Sequence, residues 1–190
     1  MKDLENSLKA QFGLIAPDEL TEIAALFRPE VIAKGDFFLK SGTYCRKLSF
    51  IRSGFLRIFV ATEKKEITQW ISSKDYFVTD LTAFFYDTPA RWSIQALEDT
   101  ELYTISKEDY NRIQRLVPKW NELEKSFIIH CFTTLEDRIF GHLSMSAEER
   151  YAYFFAQHRE LFQHIPLQYI ASMLGMTPET FSRIRRKQLG

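Results

Sequence analysis

Apolar residues recur along the chain with two different periods. In residues 3–12 and 17–28 they fall three and four apart, with Leu20, Ile23, Ala24 and Phe27 the clearest set. This predicts two amphipathic helices, the second bounded by Pro29. From Val31 to Ile105 the pattern becomes that of strands. The runs 36–40, 47–53, 55–61, 66–72, 91–97 and 100–106 are rich in β-branched and aromatic residues, and turn signals such as Ser41-Gly42 and Ser53-Gly54 separate them. Within 55–61, Leu56, Ile58 and Val60 share one face and Phe55, Arg57 and Phe59 the other. Short strands at this spacing predict an all-β sandwich or barrel, interrupted at 80–90 by a short helix and loop.

Helical spacing returns at 107–116, capped by Ser106, and continues in a long helix over 118–143. On the long helix, Trp120, Leu123, Phe127, Cys131, Leu135, Ile139 and Leu143 form a stripe that Ile128 and Phe132 widen. A barrel covers one side only. The remaining apolar edge predicts a homodimer with Leu123, Phe127, Cys131, Leu135 and Ile139 at the seam; burial in the chain's own core is the other reading. Gly141 and Ser144–Ser146 mark a hinge, and Ser146 with Glu149 is a capping-box pattern opening a helix at 147–162.

The last periodic stretch, 166–187, reads as two short helices around a tight turn. Ile170, Met173 and Leu174 share a face, Ala171 is small where a crossing helix must approach, and Gly175 suits a left-handed C-cap. Thr177 follows as N-cap and Pro178 takes the first helical position. Phe181 and Ile184 point back at the first helix. Glu179, Ser182, Arg183 and Arg186, at offsets 0, 3, 4 and 7, form one outward polar face. Arginine pairs bidentately with guanine and glutamate accepts from cytosine, so this helix-turn-helix suits the major groove of double-stranded DNA. An ordinary surface helix with a basic end is the plainer alternative.

Composition narrows this picture. A chain of 190 residues with 45% hydrophobic positions and 17 Phe has ample material for a core. Its formal net charge is +0, so any affinity for nucleic acid must come from a local patch. Cys45 and Cys131 form no metal or disulfide framework, and the four histidines form no ligand pair. No metal site, nucleophile elbow, P-loop or dinucleotide fingerprint is evident, so no catalytic residue is assigned and no enzyme activity is expected. Without a signal-peptide run or an 18-residue apolar segment, a cytoplasmic protein with no membrane partner is expected.

The order of elements resembles the Crp/Fnr family of bacterial transcription regulators across nearly the whole chain. The resemblance rests on KGDFFLKSG (34–42), IRSGFLRIF (51–59), DLTAFFYDTPAR (80–91) and LGMTPETFSR (174–183). It implies an α+β chain in three regions: an effector-sensing, cyclic-nucleotide-binding-like jelly-roll β-barrel with flanking helices (1–117), a dimerisation helix and hinge (118–145), and a small all-α helix-turn-helix domain (146–190). It implies that Glu179, Ser182 and Arg183 read base edges, that Gln168 and Thr180 touch phosphates, and that Thr177 and Arg186 complete the DNA surface. RNA polymerase is the further partner implied. The segment 80–91 corresponds to the family's phosphate-binding cassette, so Asp80 and Arg91 are the effector-site candidates. Read from the residues alone, that pair is a plain salt bridge. Thr79-Asp80 stands where the family's cyclic-nucleotide binders carry Gly-Glu, and no glycine lies in 55–112. Cyclic AMP is therefore expected to bind weakly or not at all, with no cofactor and an unidentified small molecule as effector. A ligand-binding module whose C-terminal helices only dimerise remains the alternative.

Overall fold

The computed structural model describes residues 2–13 and 15–189; Met1, Leu14 and Gly190, which fall inside the first and third expected regions, lie outside this set. Helices α1 (Lys2–Phe12) and α2 (Pro17–Ala25) come first. Helix α2 is shorter than its apolar pattern, because Pro29 disfavours helical geometry at Arg28 and residues 28–32 extend instead as β1 (Arg28–Ile32). There follow β2 (Phe37–Leu39), β3 (Lys47–Ser53), β4 (Leu56–Ala61), β5 (Glu66–Ser72) and β6 (Phe77–Val78). Then come α3 (Leu81–Tyr86), β7 (Ser93–Ala96), β8 (Thr100–Ser106) and α4 (Lys107–Leu116). The strands form two four-stranded sheets, ordered β1-β8-β3-β6 and β2-β7-β4-β5, with every pairing antiparallel. Between the sheets lies an apolar filling that includes Phe38, Ile51, Leu56, Val78, Ile94 and Leu102.

The outer face of the first sheet (Leu48, Phe50, Tyr103, Ile105) is covered by α1, α2, α4 and the start of α5 (Trp120–Ser144). This divides the long helix's apolar stripe. Leu123 and Phe127 pack on the chain's own core, Phe127 stacking on Phe12 at 4.7 Å and meeting Phe77 edge-on at 5.9 Å. Cys131 is half-buried, and Gly141 lies within the helix. Leu135 and Ile139 are exposed together with Ile129, Phe132, Phe140 and Leu143. The uncovered apolar surface therefore sits on the C-terminal half of α5.

Beyond Met145, Ser146 and Glu149 close the expected capping box, and the Ser146 backbone N–H donates to Glu149 at 2.8 Å. The helix expected over 147–162 is broken into α6 (Ala147–Gln157) and α7 (Leu161–His164). His158 ends α6, its ring 4.5 Å from Phe154 and edge-on to Trp70 at 6.2 Å, and the chain turns so that Leu161 enters the core. Helices α8 (Leu167–Met173) and α9 (Pro178–Leu189) complete the chain. Their core joins Tyr151, Phe154, Leu161, Ile170, Ala171, Phe181 and Ile184 to Phe55 and Ile71 of the barrel, so the helix pair is docked on the second sheet.

Candidate functional site

The turn between α8 and α9 is built as its sequence requires. Gly175 has φ +70°, a conformation that costs a side-chain-bearing residue energy, and a Cβ there would stand 3.5 Å from the His142 ring. Thr177 caps α9 by accepting the Thr180 N–H at 3.2 Å. Ala171 is fully buried, and Phe181 packs against Tyr151 (5.2 Å) and Phe162 (6.0 Å). With Phe181 and Ile184 turned inward, Glu179, Ser182, Arg183 and Arg186 share the exposed side of α9; Gln168 and Thr177 are exposed beside it and Thr180 is half-buried. Glu179 is held below the usual carboxylate range by its own backbone N–H and then by the Thr177 hydroxyl, so it is an ionised acceptor at neutral pH. Among the described residues neither Arg183 nor Arg186 enters an ion pair, whereas Lys187 is taken by Glu148 of α6 at 3.0 Å.

The attachment of this helix pair to the barrel was not foreseen from sequence. Arg57, placed by strand alternation on a face with Phe55 and Phe59, is only 2% exposed. Its guanidinium lies 3.8 Å from the centre of the Tyr169 ring and 4.2 Å from that of Phe59. It donates to Thr68 Oγ1 at 2.9 Å and to Glu66 Oε2 at 2.6 Å. On β5 the Thr68 backbone N–H donates to Ser172 Oγ at 3.0 Å. The register of β5 shifts at Gln69, and the carbonyl that this bulge releases accepts from Arg138 of α5 at 2.8 Å. Arg138 also lies over Trp70 at 4.6 Å. From α6, Arg150 reaches both Met145 O (2.6 Å) and Leu174 O (3.2 Å), tying the end of α5 to the turn of the helix pair. A flanking aromatic on each side of Arg57 was the one local hint that this cation is enclosed.

At the expected cassette, Asp80 caps α3 and is 5% exposed. Its Oδ1 accepts the Ala83 N–H at 3.0 Å, and its Oδ2 accepts those of Arg91 at 3.1 Å and Trp92 at 3.4 Å. The salt bridge read from sequence is not formed. Asp80 engages Arg91 through the backbone, while the Arg91 guanidinium lies 4.9 Å over the Trp92 ring and the residue is exposed. Three amides of the segment, that of Ala83 at the helix start and those of Arg91 and Trp92 at its far end, are thus occupied by the chain's own carboxylate. Thr79 turns its hydroxyl inward to Lys47 O at 2.9 Å. Among the described residues no cluster of His, Cys, Asp and Glu side chains could hold a metal ion, and no helix is long and apolar enough to cross a membrane.

Residues 29–115 match the model of the cyclic nucleotide-binding domain. Comparison with curated protein sequences gives no match. Among solved structures, FixK2 from Bradyrhizobium japonicum superposes with a TM-score of 0.74 at 14% identity, over 85% of this chain and 83% of that one. The c-di-GMP responsive global regulator CLP of Xanthomonas campestris gives 0.69 at 15% identity, over 92% of each chain. A cAMP-bound PfPKA-R fragment gives 0.54 at 18% identity over 59% of this chain, which spans only 40% of that longer one. At these identities the structural likenesses speak for a shared fold. Residues 29–115 are thus similar to a cyclic nucleotide-binding domain, and the chain that holds them shares its fold with the Crp/Fnr regulators.

Proposed function

We propose that the chain is a transcription regulator of the Crp/Fnr type, a homodimer that reads a palindromic operator in double-stranded DNA through α9. The observation that carries this reading is the division of α9 into a buried apolar side and an exposed side on which Glu179, Ser182, Arg183 and Arg186 stand free of ion pairs among the described residues. An arginine held only to fold the domain would be expected to find an internal partner, as Lys187 does in Glu148. The exposed apolar half of α5 supplies a second copy with a docking face, which would set the separation of the two recognition helices. The overlap with FixK2 and CLP, the latter described as a regulator of gene expression, supports the same reading.

The effector pocket is the family's in position but degenerate in chemistry. Asp80 occupies the amides of Ala83, Arg91 and Trp92, the Arg91 guanidinium lies over the Trp92 ring, and the barrel interior is filled by Phe38, Ile51, Leu56 and their neighbours. A cyclic nucleotide does not fit this arrangement, and any effector is a different small molecule. RNA polymerase in the cytoplasm is the partner on which such a regulator acts. Titration of labelled duplex DNA across a range of salt tests the reading, because phosphate neutralisation makes binding fall steeply with salt. Absence of DNA binding at low salt, with dimerisation intact, would favour a module whose C-terminal helices only dimerise.

A further inference from the structure

The hairpin joining β4 and β5 carries Glu63, Lys64, Lys65 and Glu66 at its tip. Thr62 fixes the turn: its N–H and hydroxyl donate to Lys65 O (2.9 and 2.7 Å), and its Oγ1 accepts the Lys65 N–H at 3.1 Å. Lys64 and Lys65 are exposed, and among the described residues neither forms an ion pair. Glu66 is drawn back to the buried Arg57 at 2.6 Å, so the tip presents two lysines against the single free acid Glu63. On one side the hairpin faces the helix pair. Lys65 lines one wall of a cleft of about 550 Å³ whose other wall holds Gln168, Thr177 and Pro178, the leading end of the helix pair.

Resting on the DNA-binding reading above, we propose that this barrel hairpin is a second DNA contact, in which Lys64 and Lys65 neutralise backbone phosphates beside the groove entered by α9. The chain's formal charge is +0, so no general field holds it to a polyanion and each local cation near the interface counts. The docking of α8 on β5 gives these lysines a fixed position relative to α9 instead of that of a tethered loop. The contact carries no base information, so it adds affinity without adding sequence preference. It also couples the grip on DNA to the barrel, because a displacement of the hairpin withdraws two cations from the interface.

The test uses the full chain and a fluorescein-labelled 40-base-pair duplex of random sequence, with binding followed by anisotropy from about 50 to 300 mM salt. Each phosphate neutralised contributes ~0.9 to the slope of log K against log salt, so Lys64→Ala/Lys65→Ala should flatten it by about 1.8 per subunit. The control Lys34→Ala/Lys40→Ala removes the same charge near β2, at the opposite edge of the same sheet, and should leave the slope unchanged. Equal slopes for the hairpin variant and the wild type overturn the proposal, as does equal flattening in the control. If the wild type fails to bind the duplex even at 50 mM salt, the DNA-binding reading falls and the hairpin contact with it.

Discussion

Arg57 and Tyr169 stand 112 positions apart in sequence, yet the guanidinium of the first lies 3.8 Å from the ring centre of the second. Thr68 and Glu66 of the neighbouring strand hold the guanidinium in place, and its contact with Tyr169 joins the barrel to the helix pair. Arg57→Ala should therefore destabilise the chain by about 2 kcal/mol, the scale of one desolvated cation–π contact plus a buried donor lost. Urea unfolding followed by the fluorescence of nearby Trp70 measures it. An unchanged midpoint would mean that the contact is structurally idle.

His158 lies in the same junction, and burial among Phe154 and Trp70 pushes its pKa below the ordinary value of ~6.5, with Glu160 pulling weakly the other way. The unfolded chain then takes up this proton first as pH falls. The stabilising contribution of neutral His158 is fully present above about pH 6.5 and is lost as pH drops below it. His158→Phe keeps a ring in place and should lessen the loss of stability between pH 7 and pH 5. Thermal melts of both proteins at the two pH values give the comparison, and identical pH dependence would remove His158 from the account.

Arg183→Ala is expected to lower affinity for the cognate operator by about 1–3 kcal/mol, concentrated at one G·C pair in each half-site. Competition titrations with singly substituted operators read this out. A loss spread equally over every sequence would make Arg183 a phosphate contact.

Leu135→Asp should dissociate the dimer, because a carboxylate enters an apolar seam with no partner. Light scattering should give twice the chain mass for the wild type and the chain mass for the variant. Leu135 is already exposed in the single chain, so the fold itself should survive the change. A wild type that is monomeric at micromolar concentration would remove the basis for paired half-sites.

Cyclic AMP and cyclic GMP should show no submicromolar binding by isothermal titration, since Asp80 already accepts the amides of Ala83, Arg91 and Trp92. Conversely, Asp80→Ala should destabilise the barrel by about 1–3 kcal/mol through the buried donors it strands. Tight nucleotide binding abolished by Arg91→Ala would show that the cassette opens.

Much of the architecture was legible because it is written locally. The strands at 47–53, 66–72 and 100–106, the capping box at Ser146 and the Gly175 turn are each declared by neighbours within a few residues. What stayed hidden depends on distant partners. Arg57 looks solvated until Tyr169 is laid over it, and Phe127 looks free until Phe12, more than a hundred residues earlier, stacks on it. Residues 28–32 and 77–78 lie outside the strand runs read from sequence and are strands through their pairing with β8 and β3. Likewise, the side-chain types at Asp80 and Arg91 suggested an ion pair, whereas geometry gave the carboxylate to backbone amides.

The bond from Thr68 N–H to Ser172, and that from Arg138 to Gln69 O, fall on β5, the margin of its sheet. A sheet margin left bare is a template on which another chain can add a strand. Here the helix pair and the long helix serve as the selvage that stops the weave from fraying. A motion that re-aimed α9 by lifting it clear of the barrel would also uncover a strand inviting polymerisation. The tolerable movements are accordingly short slides that keep β5 covered, and variants that loosen the junction should reveal themselves first as insoluble protein.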